Sequence, residues 1–129
     1  MNYDDFEVGA GYGSMVFDLQ PALIEDWRRL FPQAPARNGE TTIPPGYVSI
    51  IAMRAYMQII SARPPGNVHG EQSFEIERLP AIGATVVTDL ACVAKEIKRE
   101  RRWLTFATRT RDEDGSPLFT GVMKIAWAK

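Results

Sequence analysis

The segment from Tyr47 to Ile60, YVSIIAMRAYMQII, is apolar on almost every helical face, broken only by Ser49, Arg54 and Gln58, with Ser61 just beyond it. A helix of this kind belongs inside a protein rather than on its surface. Pro44-Pro45-Gly46 supplies its start and Arg63-Pro64-Pro65-Gly66 its stop. Nothing after that stop reads as helix. Val68 to Leu79, Thr85 to about Lys98, Trp103 to Arg111 and Leu118 to Trp127 read instead as strands. They are separated by Pro80-Ala81-Ile82-Gly83, by the charged tip Lys98-Arg99-Glu100-Arg101-Arg102 and by the hairpin signal Asp112-Glu113-Asp114-Gly115. The strands must therefore wrap the helix, an α+β arrangement in which one antiparallel sheet curls around a long central helix.

Ahead of the central helix, Ser14 to Leu19 forms a short strand. Gln20-Pro21 then opens a helix carrying Ala22, Leu23, Trp27, Leu30 and Phe31, with Arg28 and Arg29 outward and Phe31-Pro32 as its end. QAPARNGETT, residues 33 to 42, is a loop crossing to the central helix. A chain of 129 residues that is 45% hydrophobic suits one domain over 1–129. Its formal charge of −1 gives no field to recruit nucleic acid or an anionic membrane, so neither is expected as a partner. The opening MNYDDFEVG lacks the basic lead and apolar core of a secretion signal, and no apolar run is long enough to span a bilayer, so a cytoplasmic location is expected. Cys92 is the only cysteine and lies in the apolar strand TVVTDLACVAKEI, which excludes an internal disulfide and a cysteine-rich metal site. It reads as a buried packing residue, and no metal is expected.

Strand, short helix, loop, buried helix and a meander of long strands is the element order of the hotdog fold. Within that order, YDDFEVGAGYGSMVFDL resembles the entry of the MaoC-like family and its fatty-acid-synthase-like dehydratase branch, where an "E-VG" element precedes the first strand. IPPGYV is similar to the family's "apPg" step into the central helix. FEIERLPAIGATV resembles "F-x-x-P-x-x-x-GD-T-x", with Gly83 at the glycine and Ala84 where an aspartate is usual. DEDGSPLFTGVMKIAW is similar to the last hairpin, with Gly115 and Gly121 matching. The resemblance implies acyl-thioester metabolism: an enoyl-CoA hydratase or 3-hydroxyacyl dehydratase, or a subunit of one. It implies no cofactor, the substrate arriving as a thioester of coenzyme A or of an acyl carrier protein.

One departure limits the activity. Active members carry an aspartate and, five residues on, a histidine ahead of the buried helix, and that pair activates water and delivers the proton. In this chain the interval RRLFPQAPARNGETT holds neither; it offers Asn38, Glu40 and Thr41, of which Glu40 could act as a base. His69, the only histidine, follows the helix and does not correspond to the family's histidine. It stands as the candidate catalytic residue, paired with Glu71 or with a partner-chain carboxylate, or else as a structural histidine at a strand start. Gly46 and Tyr47, at a helix mouth where amides face a carbonyl or phosphate oxygen, are candidate thioester contacts, as is Gly70 beside His69.

Arg54, one turn from Gln58 on an apolar helix, should be buried and so must meet an anion or carbonyls: a thioester pantetheine arm, or a carboxylate of the sheet or of a second subunit. Lys95, Lys98, Arg99, Arg101 and Arg102 could hold coenzyme A phosphates, although interleaved Glu96 and Glu100 also suit a solvated hairpin end. Phe74, Trp103, Phe106, Phe119 and Trp127 read as core or dimer packing. A thioesterase of the same fold would place an acid on or beside the central helix, and this helix has none. Edge strands predict association, the strand Val68 to Leu79 pairing with a second copy, as a homodimer, or with a catalytic hotdog subunit that carries the missing pair, as a heteromer.

Overall fold

The computed structural model describes residues 1–32 and 40–128. A short 3-10 turn at Tyr3–Asp5 leads into strand β1 (Gly11–Asp18) and helix α1 (Pro21–Leu30). A second 3-10 turn, Pro45–Tyr47, runs into helix α2 (Val48–Ile59), followed by β2 (Val68–Ile76), β3 (Thr85–Lys98), β4 (Arg101–Asp112) and β5 (Pro117–Trp127). The strands form one antiparallel sheet in the order β1-β3-β4-β5-β2, so β1 and β2 are its edges. This is the sheet-around-helix arrangement expected of a hotdog fold.

Alternation along the strands explains which face holds the helix. Leu104, Phe106, Met123 and Ile125 are buried with Ala52 and Tyr56 of α2, while Val86, Leu118 and Phe119 are buried with Val48, Ile51 and Ala55. Phe6, 1% exposed, plugs the first group with edge-to-face contacts to Tyr12, Phe106 and Trp127. Gly121 is required on β5 between Thr108 of β4 and Phe74 of β2, since a Cβ there would lie 2.7 Å from Thr108 Oγ1 and 2.8 Å from Phe74 Cε1. The β4–β5 hairpin is held by Asp112, whose Oδ1 accepts the amides of Asp114 and Ser116, with Gly115 at φ 88° closing the turn.

α2 is not wrapped on every side. Met57 is 51% exposed and Arg54 and Gln58 are also exposed, because a single five-stranded sheet contacts only one side of a helix. The expectation of a buried Arg54 is therefore corrected: its guanidinium lies at the surface, 5.5 Å from the Phe17 ring centroid. Lys95 also leaves the basic tip, because its Nζ donates to the Phe6 carbonyl at 2.8 Å and sits over the Tyr3 ring. Cys92 is buried as expected, and burial pushes its thiol pKa up.

Candidate functional site

The two ends of α2 hold the residues singled out by the sequence. At the N-terminal end the Tyr47 amide donates to the Pro44 carbonyl at 3.0 Å and the Val48 amide donates to Pro45. Ser49 Oγ donates to the Gly46 carbonyl at 2.9 Å. The Tyr47 side chain is 2% exposed, and burial raises its phenol pKa, with the Arg54 charge opposing. Of this pair only Gly46 is exposed, and one side of it is covered by Trp27. Glu40, the carboxylate nearest this end in sequence, forms an ion pair with Arg28, both side chains being mostly shielded from solvent. That engagement gives Glu40 a structural partner and works against its acting as a free base. Asn38 lies outside the described residues.

At the C-terminal end, α2, the turn after it and β5 enclose a cleft of about 290 Å³ that brings together His69, Tyr56, Arg63 and Asn67 with Met53, Met57 and Ile125. Arg63 caps the helix: its Nη1 donates to the carbonyls of Met57 at 2.9 Å and Ile60 at 2.6 Å, which answers the negative end of the helix dipole. The same guanidinium lies 5.6 Å from the Tyr56 ring centroid. Burial raises the Tyr56 pKa, and the Arg63 charge and the Asn67 amide offset it in part. Asn67 Oδ1 accepts the Ala128 amide at 2.7 Å, while Nδ2 is buried near that phenol without a hydrogen bond of normal length among the described residues.

His69 is exposed at the rim, its Nε2 3.1 Å from the Glu71 carbonyl. That contact puts the hydrogen on Nε2 and leaves Nδ1 of the neutral ring as a proton acceptor. The Glu71 carboxylate faces elsewhere, 3.9 Å from Lys124 Nζ, so the suggested His69–Glu71 pairing runs through backbone rather than side chain. Gly70 does not open into this cleft. The space its missing side chain would take is held by Trp103. Sequence reasoning missed Tyr56, Arg63 and Asn67. Their signals were a phenol on an apolar helix and polar residues bracketing the Pro64-Pro65-Gly66 stop, both of which read equally well as packing and turn chemistry.

No family model matches this sequence, and no curated protein matches it. Solved structures do resemble the fold. A MaoC-like dehydratase from Rhodospirillum rubrum superposes with a TM-score of 0.80 at 14% identity, over 100% of this chain and 98% of that one. The R-hydratase PhaJ1 from Pseudomonas aeruginosa gives 0.74 at 17% identity, over 99% and 86%. The HadBC 3R-hydroxyacyl-ACP dehydratase complex from Mycobacterium tuberculosis gives 0.70 at 12% identity, over 92% and 98%. Likeness at this level of identity speaks for architecture, and the architecture it establishes for this chain is the hotdog fold.

Proposed function

We propose that the chain is a MaoC-like hotdog protein of acyl-thioester metabolism, acting as an enoyl-thioester hydratase or 3-hydroxyacyl dehydratase or as a subunit of one. The observation that carries this reading is a hotdog architecture shared with hydratases and dehydratases, together with a cleft on the open side of α2 that combines Met53, Met57 and Ile125 with His69, Tyr56, Arg63 and Asn67. Such a cleft offers an apolar wall to an acyl chain and donors to a thioester carbonyl. In the catalytic form of the reading, His69 Nδ1 takes a proton from water as it adds to the enoyl double bond, and the Tyr56 hydroxyl or a partner-chain group returns one to the α-carbon. Gly46, at the opposite end of the helix, and Arg54, at its middle, lie outside this cleft and serve as contacts for a more distant part of the carrier arm. No cofactor takes part.

A second reading is favoured by a specific observation. The sequence lacks the Asp/His pair, Glu40 is engaged by Arg28, and His69 has no side-chain carboxylate partner among the described residues. In this reading the chain binds the thioester and completes the pocket of a catalytic hotdog chain, associating through the exposed edge of β2. Among the described residues no helix is long and apolar enough to cross a membrane, and a cytoplasmic location is part of both readings.

The deciding measurement is loss of enoyl-thioester absorbance with short, medium and branched enoyl-CoA substrates, run on wild type and His69→Ala. Turnover by wild type that His69→Ala abolishes supports the first reading. Turnover untouched by the substitution removes His69 from the mechanism. Saturable thioester binding without turnover supports the second reading, and absence of both binding and turnover overturns the proposal.

A further inference from the structure

On the face of the sheet turned away from α2 lies a larger cleft, about 490 Å³, between the β3–β4 hairpin and the start of β2. Trp103 lines it. The residue alternates with Leu104, which is buried beneath α2, so the indole projects from the opposite face. It reaches across β5 to Gly70, where a Cβ would come within 2.8 Å of Cζ3 and 3.0 Å of Cη2. The β2–β5 register shifts between His69 and Glu71 at this point. A glycine and a bulge together thus seat a large, partly exposed ring that the hydrophobic core does not use.

Around this ring stand Lys98, Arg99, Arg101 and Lys124, against the carboxylates of Glu71 and Glu96. Among the described residues only Lys124 of these cations has a salt-bridge partner, Glu71 at 3.9 Å. The hairpin that carries the others is strained. Arg99 at φ 53° and Glu100 at φ 66° both occupy the left-handed region, where the usual residues of a two-residue hairpin turn are asparagine and glycine. Neither side chain forms a hydrogen bond or ion pair among the described residues that would repay the conformation. The turn itself is what a two-residue hairpin requires, so the conformation is set by the pairing of Lys98 with Arg101, and among the described residues it leaves the Arg99 side chain free beside the cleft.

We propose that this cleft binds a phosphorylated purine nucleotide, with the base stacked on Trp103 and the phosphates held by Lys98, Arg99, Arg101 and Lys124. The cleft is of ligand size. An aromatic ring in a cleft where four cations outnumber two carboxylates matches a flat base joined to multiply charged phosphate. The same chemistry is offered by a free nucleotide and by the nucleotide end of coenzyme A. The site lies across the sheet from the His69 cleft and does not depend on the acyl-thioester reading.

Isothermal titration calorimetry with ADP, adenosine bisphosphate, coenzyme A and pyrophosphate tests the proposal on wild type, Trp103→Leu, Arg99→Gly and Glu100→Gly. The nucleotides should bind about tenfold or more tightly than pyrophosphate, a margin that Trp103→Leu removes. Both glycine variants relieve the turn and should melt at higher temperature, yet Arg99→Gly should weaken nucleotide binding about tenfold while Glu100→Gly does not. Coenzyme A binding tighter than adenosine bisphosphate identifies the thioester carrier as the source, and equal affinities identify a free nucleotide; either supports the site. Pyrophosphate binding as tightly as ADP, no nucleotide binding up to about 1 mM, or an Arg99→Gly variant with wild-type affinity overturns it.

Discussion

The Trp27 indole lies against the backbone of Gly46, so close that a Cβ at Gly46 would sit 3.0 Å from Cζ2 and 3.3 Å from Cη2. The ring is fixed in place by Phe31 and Tyr47, with centroids 4.9 and 6.2 Å away. α1 thereby closes one side of the mouth of the central helix, and glycine is what lets it approach. In Gly46→Ala two effects compete: reduced freedom of the unfolded chain stabilises by about 0.4–1 kcal/mol, and displacing a packed ring costs about 1–3 kcal/mol. We expect the second to win, lowering stability in urea by about 1 kcal/mol, and the loss to vanish in a Trp27→Leu background. A Gly46→Ala protein as stable as wild type would mean the indole moves freely and does not guard the helix mouth.

Three buried threonines of the sheet differ in one respect. Thr88 Oγ1 and Thr110 Oγ1 are hydrogen-bonded at 2.7 Å, whereas the fully buried Thr108 Oγ1 has no partner among the described residues. A buried hydroxyl without a partner is worse than a methyl of the same shape, and breaking a formed pair strands the survivor. Thr108→Val should therefore stabilise by about 1 kcal/mol and Thr88→Val destabilise by about 1–2 kcal/mol. Urea titrations of both variants check the opposite signs; equal losses would show that Thr108 is satisfied by water.

Burial raises the pKa of Cys92 above its ordinary 9.0 and those of Tyr47 and Tyr56 above 10.0, so the folded state keeps these protons longer than the unfolded chain. Their contribution is complete below those ordinary values and is lost as pH rises through the raised ones. On the acid side, the Arg78 hydrogen bond chiefly, with the Ser116 and Asp114 amides, holds Asp112 below its ordinary 3.8, a contribution lost as pH falls through the lowered value. The melting temperature should fall above pH about 9, with Cys92→Ala flattening the first part of the fall and Tyr56→Phe the last. Identical alkaline slopes in wild type and both variants would place the cause elsewhere.

The alternation of β3 to β5, the Asp112–Gly115 turn and the prolines bracketing α2 were legible because each is a local rule written in adjacent residues. The coverage of α2 was not, because residue type does not say on how many sides a helix is covered. Arg54 follows the same logic: an arginine among apolar neighbours reads as buried until the sheet is seen to lie on the other side. The His69 cleft depends on Tyr56 meeting Arg63 and Asn67 across the helix stop, and Trp103 was read as packing because its seat at Gly70 lies two strands away.

The open side of α2 is partly apolar. Met57 is 51% exposed, and Met53 beside it lines the His69 cleft, so an apolar strip runs from the helix toward the exposed edge of β2. Water against such a strip is costly, and under the function proposed above an acyl chain or another hotdog chain would cover it. Met57→Asp removes little buried surface from the isolated chain, so its stability should stay within about 0.5 kcal/mol of wild type. Association by sedimentation velocity, or acyl-thioester affinity by calorimetry, should weaken about tenfold or more, because a carboxylate would have to be buried on binding. If association alone weakens, the strip is a subunit contact; if affinity alone weakens, it is an acyl wall. Met57→Asp with both properties intact would separate α2's open side from function and leave the His69 cleft without its apolar half.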